Sequence, residues 1–287
     1  MNKEIEGGLY LVPSPLGNLG DLTLRAIEVL KKADLVMAED TRRSLKLLNH
    51  LGIRKSLQSD REQNQRRAWP KAAETLAAGG VVALLSDAGA PSVSDPGAAL
   101  VTAAREAGFK IEALPGPSAV ICALMASGFS ADRFTFAGFL PSRGKERLDF
   151  LNPMARLPWT MVFFESPHRL AASLGDMAAV FKNRRALVAR EMTKLHEEYL
   201  QGELPALAAE VAANPRKGEI TIVVEGYQGA EEKKELDLDR LRLLAMNDPR
   251  PTKVLAAALA EESGRGRGEI YQLLLAARQK EVCEETI

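Results

Sequence analysis

The chain has 287 residues, of which 46% are hydrophobic and 26% charged, and its 38 basic residues balance 38 acidic ones. This composition is typical of soluble globular proteins, and the length favours two or three domains. The balanced charge neither predicts nor excludes a nucleic-acid partner, because binding requires a local basic face rather than a basic total.

The cysteine count and the N-terminal residues bear on the cellular compartment. Only Cys122 and Cys283 are present, which argues for a reducing compartment and against a disulfide framework or a thiolate metal site. The first ten residues lack the apolar core of a signal peptide, and no segment approaches the ~18 apolar residues of a membrane span. We therefore expect a cytoplasmic protein with neither a membrane nor a metal partner.

Short apolar segments alternate with helical patterns through the first 120 residues. A polar loop rich in glycine or proline follows each segment, and a helix follows each loop. This alternation predicts a parallel, doubly wound α/β domain over residues 1–120. The predicted strands are Leu9–Val12, Leu35–Ala38, Val81–Leu85 and Lys110–Leu114.

The stretch Val81–Gly97, VVALLSDAGAPSVSDPG, predicts the unit around which this domain is organised. Its five apolar residues are typical of a buried parallel strand, and Pro96 and Gly108 predict the first turn and the end of the following helix. Ligands of open α/β sheets bind outside the carboxyl ends of strands, so this long polar loop is a candidate site. A long surface turn is the alternative.

The second half contains four further strand patterns, with helices around Arg147, from His168 to Val180 and from Leu204 to Ala213. We interpret residues 121–228 as a second α/β domain. The predicted strands are Phe134–Leu140, Thr160–Phe164, Ala186–Ala189 and Glu219–Val224.

The last part of the chain has only helical patterns. A charged, glycine-containing segment from Gly226 to Leu236 is typical of a linker. Residues 236–287 then predict a small helical domain, with Gly264, Gly266 and Gly268 in a turn of helix-turn-helix type. Basic and acidic residues nearly balance there, so an accessory domain is favoured over a sequence-specific DNA reader.

Most catalytic signatures are absent from the sequence, including a GxxxxGK[ST] phosphate loop, a GxSxG elbow and a GxGxxG loop after a strand. What remains is a set of polar loops, each at the end of a predicted strand. In chain order they read PSPLGNLGD, AEDTRR, SDAGAPSVSDPG, PGPSA, FESPHR and REMTK. Together these motifs resemble the tetrapyrrole methylase superfamily and, within it, the 16S rRNA cytidine 2′-O-methyltransferase family.

The resemblance runs from about Gly8 to Tyr227, and the helical tail is similar to the C-terminal extension of that family. It implies two α/β domains with a cleft between them, S-adenosylmethionine bound in the cleft, and a homodimer. The implied reaction is methyl transfer to the ribose 2′-hydroxyl of a cytidine, and the implied partner is 16S rRNA or the 30S subunit, with no DNA.

The resemblance also assigns cofactor-binding positions. Pro15 matches the proline of the first loop, and the pair Ser118 and Ala119 follows the PG turn. Phe164 and Met192 match positions near adenine. The positions of the central loop that match contacts to the amino-acid and ribose parts of the cofactor are Leu85, Ser86, Asp87 and Ala90.

An activated sulfonium methyl needs mainly alignment with the acceptor oxygen, and the hydroxyl must lose a proton. Glu165, His168 and Lys194 are the candidates for a base or for stabilising a developing alkoxide. Each has a structural alternative: Glu165 holds an arginine, His168 caps a helix, and Lys194 touches phosphate. The expected RNA contacts are Arg42, Arg43, Arg143, Lys145, Arg147 and Arg169.

The sequence departs from the family pattern at two places. The family carries an HxHNE segment where this chain has Asp60–Gln65, DREQNQ, and Ala90 replaces the threonine of SDAGTP. These changes leave two alternatives open. One is a methyltransferase of the same superfamily that acts on a tetrapyrrole or another small molecule, and the other is a non-catalytic RNA-binding protein of ribosome assembly.

Overall fold

The computed structural model describes residues 4–60, 65–95, 97–229, 238–263 and 266–284. The chain divides into two compact units, residues 1–227 and residues 228–287. The first unit contains two five-stranded sheets with helices on both faces of each.

The first sheet is parallel throughout, and the strand of the central unit lies at its middle. Its order is β3-β2-β4-β1-β5, with every pairing parallel. The carboxyl ends of all five strands therefore meet at one edge, where ligands of such sheets bind. The predicted doubly wound sheet is confirmed. The strands are β1 (Gly8–Val12), β2 (Leu35–Ala38), β3 (Ser56–Ser59), β4 (Val81–Leu85) and β5 (Ile111–Ala113).

Helices bury both faces of this sheet, which explains why β4 is apolar at every position. Val81, Ala83 and Leu85 face the first two helices, whereas Val82 and Leu84 face the next two. Thr23 caps the first helix by accepting a hydrogen bond from the Ala26 N–H at 3.1 Å. The four helices are α1 (Leu24–Lys32), α2 (Thr41–His50), α3 (Gln65–Ala77) and α4 (Ala98–Glu106).

The second sheet is mixed. It has the order β6-β7-β10-β8-β9, in which only β6 and β7 run parallel. Antiparallel neighbours need no crossover helix, so this half of the chain has fewer helices between strands. The strands are β6 (Phe134–Phe139), β7 (Thr160–Glu165), β8 (Arg185–Arg190), β9 (Glu198–Glu203) and β10 (Ile220–Val224).

The two faces of the second sheet are covered unequally. One face packs against three helices, and Met161 and Phe163 are buried there. The opposite face packs against one helix, around Val162 and Val223. That single helix is α5 (Ala119–Ser127), and the other three are α6 (Gly144–Leu151), α7 (Leu170–Phe181) and α8 (Leu204–Ala213).

Strands β3 and β9 were not predicted from the sequence, and both lie at sheet edges. Pro96, predicted in the first turn of α4, lies outside the described residues, as do positions 61–64 of the Asp60–Gln65 segment. The division into domains 1–120, 121–228 and 236–287 stays a prediction.

The second unit has three helices around a small core. Leu255, Ile270 and Leu274 are fully buried in it. The predicted turn needs a correction, because Gly268 lies within the last helix, while Gly264 and most of the predicted linker lie outside the described residues. In the described ranges, no helix is both long and apolar enough to cross a membrane. The helices are α9 (Leu238–Asn247), α10 (Thr252–Ser263) and α11 (Arg267–Glu284).

Candidate functional site

The loops after β1 and β4 are joined directly to each other. The Ser14 N–H donates to the Gly89 carbonyl at 2.9 Å, and the Gly89 N–H donates to the Ser14 carbonyl at 2.8 Å. The Ser14 hydroxyl also donates to the Ser86 carbonyl at 2.7 Å. Gly89 has φ +75° and lies close to Leu16, so a side chain there would be strained. The two central loops therefore form one rigid platform.

The remainder of the central loop stores strain. Ser92 and Ser94 both have positive φ, at 67° and 57°. The Ser92 Oγ and the Asp95 Oδ2 are buried without a hydrogen-bond partner among the described residues. Burial raises the pKa of Asp95, a nearby Ser86 hydroxyl lowers it in part, and the charge of Asp87 raises it further. Such strain and unmet hydrogen bonding are typical of ligand-binding loops.

A cavity of about 460 Å³, here called the larger cavity, opens between this loop and the second sheet. The central loop forms one wall from Asp87 to Asp95, and Phe164 at the end of β7 forms part of the opposite wall. The rings of Phe164 and Phe139 lie edge to face, with centroids 5.4 Å apart. This lining combines flat apolar surfaces with carboxylates and backbone groups, as small-molecule sites do.

A second cavity of about 230 Å³, here called the smaller cavity, lies against α2. Asp87 and Arg43 line both cavities, and their charged groups are 3.5 Å apart. The other Asp87 oxygen accepts a hydrogen bond from the Asp40 N–H at 3.0 Å. Asp87 therefore fixes the start of α2 to the central loop at the wall between the cavities.

The loop after β1 also contacts the second half of the chain. The Asn18 N–H donates to the Thr193 hydroxyl at 3.1 Å, and a side chain at Gly17 would collide with the stem of Lys194. Lys194 forms ion pairs with Glu191 at 3.0 Å and Glu219 at 3.1 Å. Lys194 itself lines neither cavity, but it contacts Gly17, which lines the smaller, and Glu219, which lines the larger.

The structure brings most of the predicted cofactor residues together. The larger cavity is lined by Asp87, Ala90, Ser118, Ala119 and Phe164, and the smaller by Pro15, Ser86 and Asp87. Leu85 and Met192 line neither cavity. Leu85 is buried in the core of the first sheet, and Met192 packs in the cluster that includes Phe164.

The predicted catalytic residue Glu165 lines the larger cavity but its carboxylate is engaged. It accepts hydrogen bonds from the Ser166 N–H at 2.6 Å and the Ser173 hydroxyl at 2.5 Å, and it pairs with Arg169 at 2.6 Å. The side chain is fully buried. This geometry matches the structural alternative, in which Glu165 holds Arg169.

The other two catalytic candidates lie in different environments. His168 is exposed and lines neither cavity. Burial opposes the charge of Lys194, but hydrogen bonds to Glu191 and Glu219 outweigh it and raise the pKa of Lys194. Lys194 is therefore a cation at neutral pH, which suits the stabilisation of negative charge rather than removal of a proton.

The predicted RNA-binding residues divide by exposure. Arg42, Arg43, Arg143 and Lys145 are exposed. Arg147 is 4% exposed and donates through Nε to Asp176 at 2.7 Å, and Arg169 is engaged by Glu165. An RNA contact by Arg147 would require that ion pair to break, since its guanidinium is enclosed by α6 and α7.

Sequence reasoning missed several residues that line the larger cavity, including Asp95, Phe139 and Glu219. Their positions in the chain were the available signal. Asp95 stands in the central loop, Phe139 is the last residue of β6, and Glu219 directly precedes β10. Arg43, predicted as an RNA contact, lines both cavities as well.

Comparison with protein families and curated proteins identifies related proteins. The model of tetrapyrrole (corrin/porphyrin) methylases matches residues 8–208. Ribosomal RNA small subunit methyltransferase I of Mesorhizobium japonicum is 45% identical over 275 residues, covering 95% of this chain and 93% of that protein. Its counterpart from Escherichia coli O157:H7 is 43% identical over 274 residues, covering 94% and 95% of the two chains.

Solved structures share the fold of the first unit. Diphthine synthase has a TM-score of 0.61 at 17% identity, covering 76% of this chain and 89% of its own. Uroporphyrin-III C-methyltransferase from Thermus thermophilus, complexed with S-adenyl homocysteine, has a TM-score of 0.52 at 22% identity, covering 76% and 97%. At these identities the likeness establishes the fold alone.

Proposed function

Because this chain belongs to the tetrapyrrole methylase family, and within it to the ribosomal RNA small subunit methyltransferases I, we propose that it methylates 16S rRNA with S-adenosylmethionine as donor. The acceptor is the ribose 2′-hydroxyl of a cytidine. One observation carries this proposal: similarity above 40% extends over about 95% of the chain, which includes the helical tail.

The C-terminal helical unit favours an rRNA substrate over a tetrapyrrole substrate. The matching uroporphyrin-III methyltransferase covers 76% of this chain, a share that the first unit alone can supply. The rRNA methyltransferases are similar over 275 and 274 residues, more than the first unit contains. The rRNA methyltransferases thus match the helical unit, whereas the match to this uroporphyrin-III methyltransferase is no longer than the first unit, and this contrast supports an RNA substrate.

The larger cavity fits the cofactor. Its volume of about 460 Å³ lies within the range of about 300–1,000 Å³ for small-molecule sites. Phe139 and Phe164 offer faces for a purine, while the acidic groups of Asp87 and Asp95 suit a cationic ligand. The strained central loop, with its buried, unpartnered Asp95 Oδ2, has hydrogen-bonding capacity left for such a ligand.

When bound, S-adenosylmethionine supplies an electrophilic methyl group, so the chain must chiefly position the acceptor and remove its proton. The joined loops of Ser14 and Gly89 provide a rigid platform for that positioning. Lys194, a cation paired with Glu219 at the larger cavity, is suited to stabilise the developing alkoxide. The engaged carboxylate of Glu165 instead orients Arg169 at the end of β7.

We place the reaction in the cytoplasm, on the 30S subunit, with a homodimer as the active form. An exposed apolar surface on α5 supports the dimer: Met125 is 78% exposed and Ile121 46%. Tyr199 of β9 is itself 41% exposed, and β9 contacts the same helix through a hydrogen bond from the Gln201 side-chain amide to the Ser127 carbonyl at 3.0 Å. Contiguous apolar surface of this kind is typical of protein interfaces.

The test is transfer of labelled methyl groups from S-adenosylmethionine to 30S subunits that lack the modification, followed by nuclease mapping of the label. We expect label on the ribose of one cytidine. Label on a base, or on the ribose of a nucleotide other than cytidine, would contradict the assignment. No label with intact cofactor affinity would favour a small-molecule acceptor, and no cofactor affinity would favour a non-catalytic RNA-binding protein.

A further inference from the structure

We propose that the smaller cavity receives the target nucleoside and that Lys46, at its rim, binds a flanking phosphate of the rRNA. This inference rests on the proposed function, because it locates the acceptor of that reaction. It assigns the two cavities different ligands and adds a residue on α2 to the RNA contacts predicted from the sequence.

Adjacency is the first argument. An in-line displacement requires the acceptor oxygen within about 3–3.5 Å of the methyl carbon, so the two ligands must meet with no side chain between them. Asp87 and Arg43 line both cavities, which therefore adjoin at these two residues. The exposed side chain of Arg43 must move aside from Asp87 for the acceptor oxygen to reach the methyl carbon at this border.

The division of the predicted cofactor contacts is the second argument. Ala90, Ser118, Ala119 and Phe164 all line the larger cavity and none lines the smaller. The cofactor therefore finds its principal contacts on one side of the Asp87 wall. The smaller cavity is lined by two further predicted cofactor contacts, Pro15 and Ser86, but also by Ser44, Lys46 and Leu47 of α2, which are not among them. We assign the space beside α2 to the second ligand.

The size and chemistry of the smaller cavity suit the base or the ribose of one nucleoside, with the rest of the nucleoside at the cavity mouth. A water molecule takes about 30 Å³ of liquid volume, so about 230 Å³ accommodates a base or a ribose and excludes a longer segment. Pro15 and Leu47 provide apolar surface for a base, and the hydroxyl groups of Ser44 and Ser86 provide acceptors and donors. A nucleotide must leave its stack to enter, as in other enzymes that modify nucleotides.

Charge completes the argument. Lys46 stands one helical turn beyond Arg42 and Arg43, so the three side chains follow one side of α2. Arg42 pairs with Asp40 at 2.7 Å and Arg43 with Asp87, whereas Lys46 has no acidic partner among the residues that the structure describes. An exposed, uncommitted ammonium group at the rim is suited to a phosphate.

The experiment compares Lys46→Met with Lys46→Arg and with Lys31→Met, a matched change at an exposed lysine on α1. On 30S subunits, Lys46→Met should raise KM about tenfold, leave kcat and cofactor affinity within twofold, and reduce the salt dependence of RNA binding by about one ion. Lys46→Arg should restore most of the affinity. Equal KM values for Lys46→Met and Lys31→Met would overturn the proposal.

A second readout locates the nucleoside directly. A short RNA with 5-iodocytidine at the mapped position is crosslinked by light, and the attached peptides are identified by mass spectrometry. Crosslinks to the peptide containing Pro15 or to α2 are expected, and crosslinks elsewhere would refute the assignment. Because mapped methyl transfer on 30S subunits is established first, failure here leaves the proposed function intact, whereas absent transfer would refute that function instead.

Discussion

Asp60 offers a quantitative test of the fold at the carboxyl edge of the first sheet. It follows β3, is 2% exposed, and neither of its carboxylate oxygens has a hydrogen-bond partner among the described residues. Burial without a partner disfavours the charged form and raises the pKa of Asp60 to about 6 from 3.8. The folded protein should therefore bind a proton here more tightly than the unfolded chain does.

The magnitude and sign follow from linkage. The pKa of Asp60 differs by about two units between the folded and unfolded states, and each unit corresponds to about 1.36 kcal/mol. The free energy of unfolding therefore changes by about 3 kcal/mol. The raised pKa of Asp60 makes this stabilisation fully present below pH 3.8 and lost as the pH rises through about 6. Asp60→Asn removes the titration, so the variant should gain up to about 3 kcal/mol over the parent at pH 8.

The assay is chemical denaturation of both proteins from pH 4 to pH 8, followed by the intrinsic fluorescence of Trp69 and Trp159. The free energies of unfolding of the two proteins are compared as a difference at each pH. Other titrating groups cancel in that difference, and Asp149→Asn, at an exposed position on α6, serves as the matched control. A difference that stays flat with pH, or that favours the parent at pH 8, would refute the reasoning.

Three further substitutions, with Arg143→Met as a control for the second, test the site and two buried ion pairs. Asp87→Leu removes the acceptor of the Asp40 N–H and should lower the affinity for S-adenosylmethionine at least tenfold by calorimetry; unchanged affinity would place the cofactor elsewhere. Arg147→Met should lower the free energy of unfolding by about 2–4 kcal/mol, whereas Arg143→Met, at an exposed position, should weaken only RNA binding; equal stability of the two would contradict the buried ion pair with Asp176. Glu165→Gln should lower the free energy of unfolding by about 1–3 kcal/mol, since Arg169 and Ser173 lose a charged partner; lost methyl transfer at full stability would favour the predicted role as base.

The sequence was sufficient for most strands because burial on both faces leaves a readable pattern. VVALL in β4 is apolar throughout, ITIVV in β10 is apolar except for Thr221, and both strands are buried at every position. SLQS in β3 has no such pattern, since its edge position demands little burial. In β9, EYLQGE pairs along its length with β8, and that pairing depends on hydrogen bonds that side-chain type does not reveal.

The candidate site was predictable where it depends on parallel topology, and less so where it depends on distant partners. Loops that follow parallel strands meet at one edge, so the meeting of Ser14, Ser86 and Asp87 follows from the strand assignments. The burial of Arg147 could not be predicted in this way, because its partner Asp176 is 29 residues away on another helix. Arginines that bind RNA and arginines that hold a fold have the same local sequence signature.

The contacts of Lys194 connect the two halves of the first unit to the proposed chemistry. Its stem packs on Gly17 in the first half, while its ammonium group pairs with Glu191 and Glu219 in the second. The Asn18–Thr193 hydrogen bond lies beside it, so separating these loops would break the packing and the hydrogen bond together. A cation held by contacts from both halves is positioned only when these loops are assembled, which would restrict the proposed alkoxide stabilisation to the assembled site.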